Sequence, residues 1–168
     1  GGPVPWVRYP GTFARRGLDP GTSLLLRNLP ALAGAPRVLD FGAGTGVLAA
    51  GVKARAPDAA LVLVEPDALA RAAARENVPG VHFASLGTWP NEGPFDAVVS
   101  NPPFHVGRAG DPGLGRAFIA AAARMLAPAG SFWMVANRHL PYEAELRADF
   151  REVAEVGGSA GFKVIHAS

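Results

Sequence analysis

Residues 100–104 read Ser100-Asn101-Pro102-Pro103-Phe104 and close a short apolar run that begins at Phe95. Two successive prolines have no backbone donor and hold the chain extended, which leaves the carbonyl of Pro102 free to serve as a fixed acceptor. The side-chain oxygen of Asn101 is a second acceptor, and Phe104 is an aromatic plate on which a planar group can stack. Two acceptors converging on one planar NH2 suit methylation of a conjugated amine. Its lone pair is delocalised and must be localised to attack, and hydrogen bonds to Asn101 and Pro102 favour the pyramidal nitrogen. Positive charge develops on that nitrogen as the new bond forms, so the acceptors bind the transition state better than the ground state. Aligning the nitrogen with the methyl donor supplies the rest through orientation, and no strong base is required. An isolated Pro-Pro pair would mean no more than a stiff strand exit.

A loop for the donor lies upstream. Val38-Leu39-Asp40-Phe41-Gly42-Ala43-Gly44-Thr45-Gly46 is an apolar strand, an acid and three glycines at alternate positions, leading into a helix. Glycines there let backbone approach a ligand at the carboxyl end of a strand, where open α/β sheets bind ligands. The dinucleotide pattern G-x-G-x-x-G fits poorly because Val47 stands in the third glycine's place, and no Gly-Lys-Ser/Thr of a phosphate loop follows. Asp40, directly before the glycines, would repel a pyrophosphate and favours a cation. S-adenosylmethionine (AdoMet) carries both an ammonium and a sulfonium. Nineteen residues after Gly46 a second strand ends in Val64-Glu65-Pro66, where a carboxylate can accept both hydroxyls of a ribose. The alternatives are an ordinary capped turn for Asp40 and an exposed strand-end charge for Glu65.

Both loops must stand at the same end of one sheet to act together. A first helix is expected from Thr22 or Ser23 as N-cap through Leu24, Leu25, Leu26 and Leu29, ending before Gly34-Ala35-Pro36. Strands are expected at residues 37–40, 61–65, 81–83, 95–100 and 131–136, with helices at about 47–54, 67–76 and 114–126. Their alternation, with near-continuous apolar strands such as Leu61-Val62-Leu63-Val64 and Ala97-Val98-Val99, indicates a parallel sheet covered on both faces. A short helix around 142–150 then leads to two strand-like runs, 152–156 and 162–165, joined by Gly157-Gly158-Ser159-Ala160-Gly161. That link is too short for a crossover helix, so the last two strands form an antiparallel hairpin at the sheet edge. The expected fold is α/β and Rossmann-like: a doubly wound, seven-stranded sheet, mostly parallel, with a C-terminal antiparallel hairpin. Residues 1–36 would form a segment and helix over the cofactor pocket, and 37–168 the cofactor-binding unit.

With 168 residues, 49% of them hydrophobic, the chain has the size of one domain with a sizeable core. It contains no cysteine, which excludes thiolate nucleophiles, disulfides and cysteine-held metals. No apolar run approaches the roughly 20 residues that span a bilayer, and the first residues lack a signal-peptide plan. A cytoplasmic protein without membrane or metal partners is expected. His82, His139 and His166 have no ligand spacing and read as structural, as does Asp96. The start, Gly1-Gly2-Pro3-Val4-Pro5-Trp6, lacks an initiator methionine, so a piece of a longer chain, with a missing N-terminal domain, is expected alongside simple methionine removal.

Fourteen of the 16 basic residues are arginine, which by itself reflects composition more than nucleic-acid binding. Their placement says more. Residues 1–37 carry net +4 and residues 104–140 net +3, while 38–103 and 141–168 carry net −3 and −2. The positive blocks flank the two loops.

The Asp40 to Gly46 loop, Glu65 and the Asn101 to Phe104 run resemble class I AdoMet-dependent methyltransferases of the amino-methylating kind. Phe13-Ala14-Arg15-Arg16-Gly17-Leu18-Asp19-Pro20-Gly21-Thr22, His105 and Val135-Ala136-Asn137-Arg138-His139-Leu140-Pro141-Tyr142 narrow the resemblance to the "methyltransferase small" domain of the RsmC and RlmG group. Those enzymes methylate guanine N2 in ribosomal RNA. The resemblance implies AdoMet as cofactor, with Asp40, Gly42, Ala43, Gly44 and Gly46 at its methionyl part and Glu65 and Pro66 at its ribose. It places Asn101, Pro102 and Phe104 at the reacting amine, and Pro103, Phe104 and His105 against the base. The segment 13–22 would fold over the cofactor pocket. Such enzymes usually place Asp or Asn after the third strand to bond adenine; this chain has Ala84-Ser85-Leu86-Gly87, so Ser85 or backbone takes that place. Arg15, Arg16 and Arg108 would engage phosphates of ribosomal RNA or a ribosomal subunit. Adenine-N6 or glutamine-N5 methylation, and a catalytically silent RNA-binding cofactor domain, are the competing functions.

Overall fold

The computed structural model describes residues 6–10, 18–32, 34–85, 94–102 and 112–168. In chain order these form α1 (Pro20–Asn28), β1 (Arg37–Phe41), α2 (Val47–Arg55), β2 (Ala60–Val64), α3 (Ala68–Asn77), β3 (Val81–Phe83), β4 (Phe95–Ser100), α4 (Pro112–Met125), β5 (Leu126–Asn137), α5 (Glu143–Asp149), β6 (Val153–Gly158) and β7 (Phe162–Ala167). The strands make one seven-stranded sheet in the order β3-β2-β1-β4-β5-β7-β6. The first five strands in the chain pair in parallel, and β7 runs antiparallel to both β5 and β6. The doubly wound sheet and its edge hairpin therefore match the expectation from sequence.

The apolar strands are buried on both faces because helices cover both. Val38, Leu61, Leu63, Ala97, Val99, Val135 and Val164 pack under α1, α2 and α3. Their alternating neighbours Leu39, Val62, Val98, Phe132, Met134 and Ile165 pack with Ile119 and Ala122 of α4 and Leu146 of α5. Burying each such side chain fully contributes roughly 1.5–3 kcal/mol. Where α1 and α2 cross, Gly51 permits close approach: a Cβ there would lie 2.3 Å from Leu26 Cδ2.

Most element ends fall within two residues of the sequence reading, and two boundaries differ by more. The N-cap of α1 is Asp19, not Thr22 or Ser23: its carboxylate accepts the Thr22 backbone N–H at 2.8 Å, with Pro20 as the first helical residue. Strand β5 starts at Leu126, immediately after α4, rather than at Ser131. A bulge absorbs the extra residues, since Phe95 pairs with Leu126 and Ala97 with Ser131. Pro128 and Gly130 are tolerated there because bulged residues make few ladder bonds.

Candidate active site

The chain reverses direction across the sheet at β1, whose neighbours are β2 on one side and β4 on the other. Ligands of open α/β sheets bind at the carboxyl ends of strands beside such a switch point. Asp40 pairs in register with Val99, so Phe41 stands beside Ser100 and the loops that follow leave the sheet side by side. Ser100 Oγ donates to the Phe41 carbonyl at 2.5 Å and ties the two strand ends together.

The glycine loop begins by docking on β2, with Gly42 and Ala43 N–H both donating to the Val64 carbonyl. Gly42, Gly44 and Gly46 adopt φ of 78°, 55° and 89°, a left-handed region that favours glycine. Their surroundings differ. A Cβ on Gly44 would meet nothing within 4 Å among the described residues, whereas one on Gly46 would lie 2.9 Å from Val78 Cγ2 and 3.5 Å from Ala74. Gly46 thus lets α2 approach α3, and Gly44 borders open space. Ala43 turns its methyl into the core.

Asp40 is 1% exposed. Its Oδ2 accepts the Ala49 N–H at 2.9 Å, capping the first turn of α2 where Gly46 has no side chain to do so. Its Oδ1 is buried with no hydrogen-bond partner among the described residues. Burial pushes the Asp40 carboxyl up to about 7; the Ala49 bond opposes the rise and the nearby Glu65 charge adds to it. Glu65 is held at both oxygens: Oε2 accepts Gly44 N–H and Oε1 accepts Asp67 N–H, each at 2.8 Å. Arg71 donates to the Glu65 and Pro66 carbonyls and fixes the same turn. Two carboxylates thus border one loop, which favours a cationic guest. Ser85 is exposed two residues past β3, on the rim that carries Glu65.

Asn101 leaves β4 with its amide Nδ2 donating to Asp19 Oδ2 at 2.8 Å and to Thr22 Oγ1 at 2.9 Å. A carboxylate only accepts, so the amide orientation follows from its partner. Pro102 is buried. Pro103, Phe104, His105, Arg108, Arg15 and Arg16 lie outside the described residues.

A scan of family models matches residues 4–166 to the methyltransferase small domain. The chain belongs to this family. The methyltransferase small domain is 39% identical over 148 residues to ribosomal RNA small subunit methyltransferase C of Shewanella sp. (strain MR-4), covering 85% of this chain and 43% of that protein. It is 41% identical over 163 residues to the protein of the same name from Hahella chejuensis, covering 94% and 47%. Among solved structures it superposes with a TM-score of 0.82 and 32% identity on T. Thermophilus RsmC, a 16S rRNA N2 guanine methyltransferase in complex with AdoMet and guanosine, covering 95% of this chain and 45% of that one. The chain spans about half the length of these relatives.

Several residues of this methyltransferase small domain escaped the sequence reading. Asp19 and Thr22 meet Asn101 across 82 and 79 positions. Asn77, at the end of α3, accepts Val7 N–H and donates to the carbonyls of Val7 and Thr45. Trp6 donates to Thr45 Oγ1 and Tyr9 to Glu76, so residues 6–9 lie as a strap along α3 and the glycine loop. Tyr142, in the segment that carries the family resemblance, is buried against α4, where a Cβ on Gly115 would come within 2.5 Å of its ring. Asp96 accepts the Arg37 backbone N–H at 2.9 Å and serves the sheet. His82 bonds Val78, and His166 packs on Trp133.

Proposed function

We propose that this chain is the catalytic unit of an AdoMet-dependent N-methyltransferase whose acceptor is an exocyclic amine of ribosomal RNA, guanine N2. The observation that carries this reading is the commitment of the Asn101 amide nitrogen to Asp19 and Thr22, beside a glycine loop bordered by two carboxylates. With Nδ2 engaged, the polar atom Asn101 has left to offer a substrate is an acceptor oxygen. An amine needs an acceptor.

The residues present fit AdoMet. Among the described residues Asp40 Oδ1 is buried and unpartnered, Gly44 leaves room that a Cβ would fill, and Glu65 keeps lone pairs on both pinned oxygens for a vicinal diol. When bound, the cofactor supplies an electrophilic methyl group. Asp40 and the loop backbone would hold its methionyl end and Glu65 its ribose, with Ser85 or nearby backbone at the adenine. Asn101 Oδ1 and the Pro102 carbonyl would accept the two hydrogens of the target amine, so that its lone pair points at the methyl carbon. With the methyl group's bonding pair to sulfur staying on the departing thioether, the methylated nitrogen would shed its surplus proton to water, and no side chain of the site would have to act as a base. Phe104 would stack on the base, with Pro103 and His105 beside it. Arg15, Arg16 and Arg108 would hold phosphates at the rim, an attraction that salt weakens.

The test is transfer of a radiolabelled methyl group from AdoMet to unmodified small-subunit ribosomal RNA, free and assembled with its proteins, followed by nucleoside analysis. Label in N2-methylguanosine is expected. Label in N6-methyladenosine or in protein assigns a different acceptor, and intact cofactor binding with no transfer to any of them refutes catalysis by this chain.

A further inference from the structure

We infer that Asp19 and Thr22 are positioning residues for methyl transfer, holding the Asn101 amide in one orientation and strengthening its oxygen as an acceptor. The inference rests on the proposed role of Asn101 and goes beyond it.

The bonding pattern is more than a helix cap requires. The cap of α1 is complete when Asp19 Oδ2 accepts Thr22 N–H. The same oxygen also accepts from Asn101, and the Thr22 hydroxyl, on a residue only 7% exposed, takes a further bond from the same nitrogen. An asparagine free to flip would present NH2 to the substrate half of the time, and two donors facing each other would repel. Asp19 forbids that flip. Its negative charge also draws the amide N–H, which shifts electron density toward Oδ1, the atom that faces positive charge growing on the amine.

Gly21 supplies a separate line of argument. A Cβ at this position would sit 3.1 Å from Asp19 Oδ2 and 3.3 Å from the Phe162 ring. The missing side chain leaves the carboxylate room to turn toward Asn101. Gly21 lies in a helix, where alanine is intrinsically the better helix former. If the contact only tied α1 to the sheet, Gly21→Ala would leave turnover alone whatever its effect on melting.

Three variants of the full chain test the inference. Asp19→Ser keeps a capping side chain but cannot reach Asn101; Thr22→Val removes one acceptor with little change of shape; Gly21→Ala crowds the carboxylate without removing any bonding group. Each is measured for thermal melting, AdoMet affinity by calorimetry, and kcat and KM on the RNA that the wild type methylates. The expected result is a fall in kcat of about ten- to a hundred-fold for Asp19→Ser, and of about three- to tenfold for the other two, with KM and cofactor affinity within twofold. Wild-type kcat in all folded variants overturns the inference, as does a loss confined to KM or to cofactor affinity. If Asp19→Ser fails to fold, Thr22→Val and Gly21→Ala decide. Asn101→Ala runs alongside: if that variant keeps full turnover, the amine-acceptor reading fails, whereas a dead Asn101→Ala beside unaffected Asp19 and Thr22 variants sinks only the positioning role.

Discussion

Asp40 offers a measurement in which structure, protonation and ligand binding meet. Its carboxyl is raised from 3.8 to about 7, chiefly by burial, and at about 1.4 kcal/mol per pK unit this corresponds to roughly 4 kcal/mol between the limiting pH values. The sign follows from proton counting. Between pH 4 and 7 the unfolded chain has released this proton while the native protein still holds it, so stability present below pH 4 is lost as pH rises toward 7 and is flat above it. Over pH 5.5 to 7.5 the loss amounts to about 2 kcal/mol. His82 and His166, both lowered chiefly by burial, act oppositely, because the unfolded chain then holds the extra proton. The quantity to read is therefore the difference between the wild type and Asp40→Asn, by urea unfolding at half-unit pH steps. The wild type should lose about 2 kcal/mol relative to the variant across that window. A cationic cofactor beside Oδ1 favours the ionised form, so wild-type AdoMet affinity should rise about tenfold from pH 6 to 8, with a flatter profile in Asp40→Asn. Parallel stability curves for the two proteins would refute the raised carboxyl, and parallel affinity profiles would refute its contact with the cofactor's charge.

Other outcomes follow from the same geometry. Gly44→Ala should fold at a cost of about 1–2 kcal/mol for its left-handed backbone and lose at least about tenfold in AdoMet affinity, because its Cβ enters open space. Gly46→Ala, which also meets Val78, should be more destabilised by about 1–3 kcal/mol in thermal melts; the reverse order would contradict the packing. Asn77→Ala breaks three hydrogen bonds of the strap and should cost about 1–3 kcal/mol, with faster amide exchange at Val7. Lys163, 4% exposed, pairs with Glu143 at 2.5 Å. Glu143→Gln leaves that ammonium without a counter-charge and should destabilise by about 1–3 kcal/mol, more than Lys163→Met. Burial raises the Glu143 carboxyl, but the Lys163 bond and charge outweigh it and hold it below 4.5. The pair's contribution is thus present above pH 4.5 and is lost on acidification below it, which melting at pH 3 and pH 6 checks.

The sheet and its glycine loop are legible because their signals are local. An apolar run ending in acid and alternate glycines fixes a strand, a turn and a helix start, and Gly157 to Gly161 leaves no room for a crossover. The α1 cap was written locally as well: Asp19-Pro20 places a capping acid before proline at the first helical position, but the leucines from Leu24 drew the boundary inward. The Asn101 partners and the Asn77 clamp were illegible for a different reason. They join residues 32 to 82 positions apart, and no spacing rule marks a polar side chain for a partner that only the folded sheet brings near. Strand β5 was shortened because Pro128 and Gly130 read as a loop, whereas the bulge opposite Phe95 and Ala97 accommodates both.

The Ser100 hydroxyl on the Phe41 carbonyl has a reach beyond its single bond. It seals the junction where two hydrogen-bonded strands, about 4.8 Å apart, release the glycine loop and the loop that begins at Asn101. The two proposed reactant loops thereby start from neighbouring rungs of one backbone ladder, a spacing that side-chain substitution cannot easily alter.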